Sequence, residues 1–507
     1  MAPSSERYVP NTLSYNYDAN SIDCIKRQLE SALLTALSVI PQHQPESNRI
    51  ARPRLYTGAV GHSVLYLRLY LQAASGAIDL PPAVASALPR LVKDTLEPCL
   101  TYPVGAIARA ASDDPEQRRT AVSFGKVGAL DTPVGPALIE LTRQLVLGHQ
   151  ADDDEDLWET ALRVLKGGYD ACGEMNLEEF EAGDMVEILY GTCGYLYALL
   201  GLRAVLDGGM GEDRAKDASL TRLTSDAGMG ALVDNVIRSG ASGAMYFQSV
   251  LKYGMKGPPL MWRSLHEKYY LGGIHGIAGI LLVLLQCPPS IITVSSHLYS
   301  HILPTIDWLL TLQKPGNTPS SITPGRQPSY RYCQFCHGAP GTALMLLALR
   351  DRVPEAMDER DQMGRWRADK LREALDCIWR EGIVRKGIGL CHGIAGNAMP
   401  FLLQAVWDLK KGNVSSESLG KALALLSLSA TLPPMPPSAS CPSDVPPPSL
   451  FRTPDNPYSL FEGLAGAACV WADALALLQD LEERNAEVGG RMIGFPMVGG
   501  LRVRWPL

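Results

Sequence analysis

Two short segments of this chain, Phe335-Cys-His-Gly-Ala-Pro-Gly341 and Gly389-Leu-Cys-His-Gly-Ile-Ala-Gly396, nearly repeat each other. Cys336, Cys391 and His392 offer two thiolates and an imidazole, the soft and borderline donors that Zn²⁺ prefers. Three protein ligands leave the fourth tetrahedral position open for water or substrate, the pattern of a catalytic site. A lone Cys-His-Gly is more often a buried cysteine beside a turn. Two of them, each directly before Gly-x-x-Gly and an apolar run, are a repeated feature. Cys333-Gln-Phe-Cys336 leaves the ligand set open, because a C-x-x-C pair is itself a zinc signature and a fourth ligand would close the site.

These residues must be positioned by what surrounds them. Seven segments share the plan of Gly-x-x-Gly followed by an apolar helical run, starting at Gly58, Gly125, Gly191, Gly276, Gly338, Gly393 and Gly463. With 47 glycines in 507 residues, the bare pattern arises about four times by chance. The signal lies in the residues after each motif: the runs beyond Gly194, Gly279 and Gly341 are apolar nearly all round, as buried helices are. In the second segment Pro133 and Pro136 interrupt the expected helix. Amphipathic stretches lie between, at 22–40, 83–96, 154–165, 297–312, 363–379 and 416–426. An outer amphipathic helix, a loop, Gly-x-x-Gly and an inner apolar helix recur every 55 to 85 residues or so, which is a stacking helical-hairpin repeat.

Seven such units predict an all-α fold: an α/α toroid with seven inner and seven outer helices, the inner-helix N-termini at one mouth. It forms a single domain over 1–507, with repeats from about 20 to 485 and long Pro/Ser/Thr-rich loops at 314–331 and 433–457. Membrane spans are rejected on length, since a span needs about 20 apolar residues and these runs stop sooner, at Arg203, Arg350 or Asp473.

Composition agrees with a globular protein: 46% hydrophobic, 20% charged, net charge -7. No basic patch invites nucleic acid. The N-terminal residues carry no apolar targeting segment, and eleven cysteines make an odd, scattered set that suits a reducing compartment. A cytoplasmic location is expected, with peripheral association at the plasma membrane compatible with it.

At the paired Cys-His-Gly segments the chain resembles the lanthionine synthetase C-like family, and more closely its eukaryotic stand-alone, glutathione-binding members. Leu55-Tyr-Thr-Gly58, Glu187-Ile-Leu-Tyr-Gly191, His275-Gly-Ile-Ala-Gly279, the stretch from Lys386 to Gly393, and Arg452-Thr-Pro-Asp-Asn-Pro-Tyr-Ser-Leu-Phe-Glu-Gly463 carry the resemblance. It implies an α/α toroid with one Zn²⁺ held by Cys336, Cys391 and His392. His275 falls on the family's active-site histidine and Glu187 on an acidic residue of the third repeat. Arg7, Lys386, Arg452, Thr453, Pro454 and Asp455 fall on glutathione-binding positions. Where the bacterial cyclases place an arginine this chain has Tyr332, with Arg331 one off, and His337 stands where they place tyrosine. These departures point away from the bacterial role.

Glutathione carries two carboxylates and one ammonium, which cations and an aspartate complement. The expected chemistry is addition of its thiol to dehydroalanine or dehydrobutyrine in a peptide or protein, forming a thioether, with His275 or His337 as proton donor. His275 could instead orient a metal ligand, and Glu187 could be no more than a hydrogen-bond acceptor. The rival readings are a non-catalytic zinc- and glutathione-binding scaffold, whose Pro-rich loop at 433–448 docks a partner domain, and a sugar-acting toroid. The latter needs paired carboxylates across the mouth, and the sequence marks no such pair.

Overall fold

The computed structural model describes residues 7–43, 54–100, 126–148, 153–173, 185–209, 211, 214–251, 256–264, 268–293, 296–413, 416–436 and 446–495. Fourteen helices among them form two concentric layers. The odd-numbered, outer ones are α1 (Ala19–Val39), α3 (Pro82–Leu100), α5 (Asp153–Gly173), α7 (Asp226–Val250), α9 (Leu303–Leu310), α11 (Gln362–Glu381) and α13 (Glu417–Ser429). The even-numbered, inner ones are α2 (Val60–Ala74), α4 (Val134–Leu147), α6 (Thr192–Asp207), α8 (Ile277–Gln286), α10 (Ala339–Arg352), α12 (Ile394–Lys410) and α14 (Leu464–Glu482). Two helices of under two turns, Ala218–Thr224 and Pro289–Ile292, lie between them. The described strands are a two-residue ribbon, β1 (Tyr269–Tyr270) against β2 (Ser321–Ile322), which anchors the 314–331 loop.

The inner helices touch in the order α2, α4, α6, α8, α10, α12, α14, and α14 returns to α2, so the ring closes. Each packs between two inner neighbours and an outer helix, which is why these sequences are apolar on most of their circumference. All ten residues of α8 are buried. The outer helices α3, α5, α11 and α13 pack most closely on the inner helix before them, α7 and α9 also touch theirs, and α1 covers α14. The structural hairpin is therefore inner then outer, the reverse of the order expected from sequence, and the first helix completes the last pair.

The loops ahead of the inner helices form a second closed ring, made of backbone hydrogen bonds. Tyr56 N–H donates to the Leu130 carbonyl at 2.8 Å, Gly128 to Tyr190 at 2.7 Å, Ile188 to Ile274 at 3.3 Å and Gly273 to Phe335 at 2.9 Å. Cys336 then donates to Cys391 at 3.2 Å, Cys391 to Phe461 at 2.8 Å, and Phe461 back to Tyr56 at 3.1 Å. The second glycine of each motif lets this ring approach its helix. A Cβ on Gly396 would meet the Leu390 carbonyl oxygen at 1.9 Å.

This contact corrects the reading of the second unit. There the glycine six residues beyond its carbonyl partner is Gly135, whose Cβ would lie 2.2 Å from the Ala129 oxygen. The motif is thus Thr132-Pro-Val-Gly135; Gly125 lies outside the described residues, and Gly128 belongs to the loop ring. Pro133 caps α4 and Pro136 occupies its first turn, where proline removes no helical hydrogen bond. The outer helix α7 is the seventh that the number of units required, and no stretch of the sequence was assigned to it.

By length and composition α14 could cross a membrane, but 89% of its apolar window is buried inside the protein. Asp473 does not end this helix, as the sequence suggested, but lies buried in its middle. Of the 433–457 loop, residues 437–445 lie outside those described.

Candidate functional site

The residue directly before each inner-helix motif stands at an equivalent place around the mouth: Thr57, Asp131, Tyr190, His275, His337, His392 and Glu462. One place earlier stand Tyr56, Cys336, Cys391 and Phe461 in their units. Because the loop of Cys336 is hydrogen-bonded to that of Cys391, two cysteines 55 positions apart become neighbours. Donor atoms of Cys336, Cys391 and His392 all lie within 4.8 Å of one another, and all three residues are buried.

The donor set fits a metal ion. His392 Nε2 is buried and has no hydrogen-bond partner among the described residues. The Gln334 side-chain amide donates to Cys336 Sγ at 3.0 Å, as suits an electron-rich sulfur. Burial, followed by the closeness of Cys336, pushes the Cys391 thiol well above its ordinary range; a thiol so placed ionises at neutral pH when a cation sits beside it. Burial acts to lower His392, yet Cys391 beside it carries the imidazole above its usual value. Cys333 is not part of the cluster: its sulfur points to the Cys377 carbonyl on α11, 4.0 Å away.

Beside this trio lies a carboxylate and imidazole pair. Glu187 is fully buried and accepts from the backbone N–H of Leu189 at 2.9 Å and Tyr190 at 2.7 Å. His275 Nδ1 donates to its Oε2 at 3.2 Å. Burial raises the Glu187 carboxyl, and the His275 and backbone hydrogen bonds act against it. His337 lies 6.4 Å from His275 between ring centroids. Burial, then the charges of His275, His392 and Lys268, pull it down to about 4, so it is a neutral imidazole at pH 7.

The residues expected to bind glutathione gather at one lip. Val9 N–H donates to the Ile383 carbonyl at 2.8 Å, Arg385 to Arg7 at 3.0 Å, and Arg452 to Arg385 at 2.8 Å, so three distant segments lie side by side. The Arg7 guanidinium sits over the Tyr332 ring, 4.3 Å from its centroid. Lys386 pairs with Asp455 at 3.4 Å. Pro454 is buried against Gly387, whose φ of 143° favours glycine; a Cβ there would meet the Pro454 ring at 2.7 Å. Arg452 and Thr453 are exposed beside it.

Three neighbours of the trio were missed in the sequence. The Glu462 carboxylate lies 3.8 Å from His392 Nε2 and is held by the Asn456 amide at 2.6 Å. Its place before Gly463, the same as that of the three histidines before their glycines, was the available signal. The Tyr56 hydroxyl is hydrogen-bonded to Cys391, and burial and then both cysteines push it well above the ordinary tyrosine range. Gln334 carried no signal.

A family model described as lanthionine synthetase C-like protein matches residues 144–481. Glutathione S-transferase LANCL1 of Danio rerio is 28% identical over 296 residues, covering 57% of this chain and 59% of that protein. LanC-like protein GCL1 of Arabidopsis thaliana is 28% identical over 302 residues, covering 59% of this chain and 57% of that protein. The chain thus spans under two thirds of the length of either relative. Nisin cyclase shares the fold, with a TM-score of 0.50 at 14% identity, covering 91% of this chain and 99% of that one. With the family model matching well over half of its length, the chain belongs to the lanthionine synthetase C-like family.

Proposed function

We infer that the protein binds glutathione at the Arg7, Lys386 and Arg452 lip and joins its thiol to a dehydroamino acid of a peptide or protein, forming a thioether. The observation that carries this reading is the meeting, at one mouth, of the Cys336, Cys391 and His392 trio, the Glu187 and His275 pair, and a lip with cations and one aspartate. The relative named as a glutathione S-transferase supports the choice of thiol.

Cys336, Cys391 and His392 would hold Zn²⁺, and the charge of the bound ion would keep a thiol ionised at neutral pH. The chain's own residues do the rest. Lys386 and Arg452 take the carboxylates of the tripeptide by charge-assisted hydrogen bonds, and Asp455, released from Lys386, takes the ammonium. The sulfur forms a bond to the β-carbon of the dehydroamino acid, the double-bond electrons move to the α-carbon and its carbonyl, and a proton must reach the α-carbon. His275 is placed to deliver it: Glu187 accepts from Nδ1, leaving Nε2 as the atom that carries the mobile proton. His337, neutral at pH 7, is the weaker donor.

Incubation with glutathione and a dehydroalanine peptide should give the summed-mass adduct by mass spectrometry. Lys386→Ala and Arg452→Ala should each weaken glutathione binding about 10-fold or more with metal content unchanged. Glutathione binding without any adduct would overturn the enzyme reading in favour of a binding scaffold.

A further inference from the structure

The residues after α14 do not leave the ring; they turn back along α14 and run inside it. Gly489 N–H donates to Asp480 Oδ2 at 2.8 Å, and Arg491 spans from Asp480 to the Gly76 carbonyl beyond α2. Further up, the N–H groups of Ile493 and Gly494 both donate to Asp473, at 2.8 and 2.9 Å. Asp473 is fully buried and also accepts from Arg68 at 3.0 Å and Gln72 at 2.9 Å. A buried carboxylate with four donors is a fixed anchor, because releasing any one leaves charge or polar atoms unsatisfied. Gly489 packs on Val406 of α12, so the strap touches α2, α12 and α14 before it reaches the mouth.

It ends on an aromatic cluster. Phe495 is 1% exposed, with its ring 4.6 Å from Phe335 and 6.4 Å from Phe461 between centroids. Phe335 is bonded to Cys336, and the Phe461 carbonyl receives the Cys391 N–H. Phe461 also stacks on Tyr56 at 4.8 Å, and Tyr56 is hydrogen-bonded to Cys391. Each cysteine of the trio is thus joined, by one peptide bond or one backbone hydrogen bond, to a residue whose ring meets Phe495.

We propose that the strap of residues 485–495 is the floor of the metal site, and that Phe495 is a positioning residue that holds the loops of Cys336 and Cys391 at metal-binding separation. The proposal rests on the metal reading of the trio. Close-packed interiors transmit displacement because they contain no slack, and loss of the Phe495 ring frees both loops to shift. Changes one shell from a metal lower its affinity about 10- to 100-fold.

Cobalt(II) titration of the full chain, read by its sulfur-to-cobalt absorption, tests this. The wild type should show that band and Cys336→Ser should lose it; a wild type without it overturns the metal reading and the proposal together. Phe495→Ala should bind cobalt about 10-fold or more weakly with altered visible bands, and Phe495→Leu should recover most of the affinity. Leu29→Ala, a buried change on the inward face of the outer helix α1, should lower Tm with cobalt affinity and spectrum unchanged. Should Phe495→Ala not fold, Phe495→Leu and Phe495→Val carry the comparison, with the smaller side chain the weaker binder. Wild-type cobalt affinity and spectrum in a folded Phe495 variant that has lost Tm as Leu29→Ala has would overturn the proposal.

Discussion

Replacing Glu187 by Gln should slow adduct formation through His275 while leaving the metal and glutathione in place. The wild-type carboxylate accepts three hydrogen bonds, from Leu189 and His275 at Oε2 and from Tyr190 at Oε1; a glutamine oxygen at the Oε2 place keeps the first two, and the Tyr190 N–H loses its acceptor. What disappears is the negative charge facing His275 Nδ1 across 3.2 Å. A charge-assisted hydrogen bond contributes about 1.5–3 kcal/mol, here in favour of the charged imidazolium. The sign is fixed: the carboxylate favours the protonated ring, so its loss makes the proton easier to lose, and the alkaline limb of the pH–rate profile should move to lower pH. At neutral pH the rate should fall about 10- to 100-fold. The assay is the adduct rate across pH, with metal content and glutathione affinity measured on the same samples. A Glu187→Gln enzyme with an unmoved alkaline limb would refute the proton-donor role of His275.

Three further outcomes are expected from the geometry. Cys336→Ala should lose the metal and Cys333→Ala keep it, as elemental analysis of the purified variants will show, because the Cys333 sulfur faces Cys377. Gly466→Ala should destabilise by about 1–3 kcal/mol in urea, although alanine is ordinarily about 1 kcal/mol better in a helix. The added Cβ would stand 1.9 Å from the Leu460 oxygen, so a gain in stability would contradict the wedge. His62, buried with Nε2 donating to the Tyr458 carbonyl, is pulled by burial down to about 4. The unfolded chain binds this proton more readily, so stability present above about pH 6.5 should fall by up to about 3 kcal/mol as pH drops to about 4. His62→Gln should flatten that part of the denaturation-versus-pH curve.

Much of the architecture was legible because its signal is local and repeated. Apolar circumference marks a helix surrounded on most sides, and glycine before it marks a close approach of backbone, so six of the seven inner helices and most outer ones could be read from pattern. The second unit was misread because its first motif position holds Thr132, and only the contact of Gly135 with the Ala129 carbonyl identifies the true equivalent. Helix α7 escaped because its glycines, Gly240 and Gly243, weaken the amphipathic pattern while packing against Trp262 and Met261.

The trio was also nameable from sequence, since cysteine and histidine before glycine in two units declare their chemistry by type. Whether they meet depends on ring closure, in which the loop of Cys336 hydrogen-bonds to the loop of Cys391. Exclusion of Cys333, the pairing of His275 with Glu187 across 88 positions and the gathering of Arg7, Lys386 and Arg452 depend on it too. The strap was the least visible part: Phe495 and Asp473 look ordinary in one dimension. Their roles arise only when a closed ring leaves a central channel for the chain to enter, because burial and hydrogen-bond partners are properties of the packed whole.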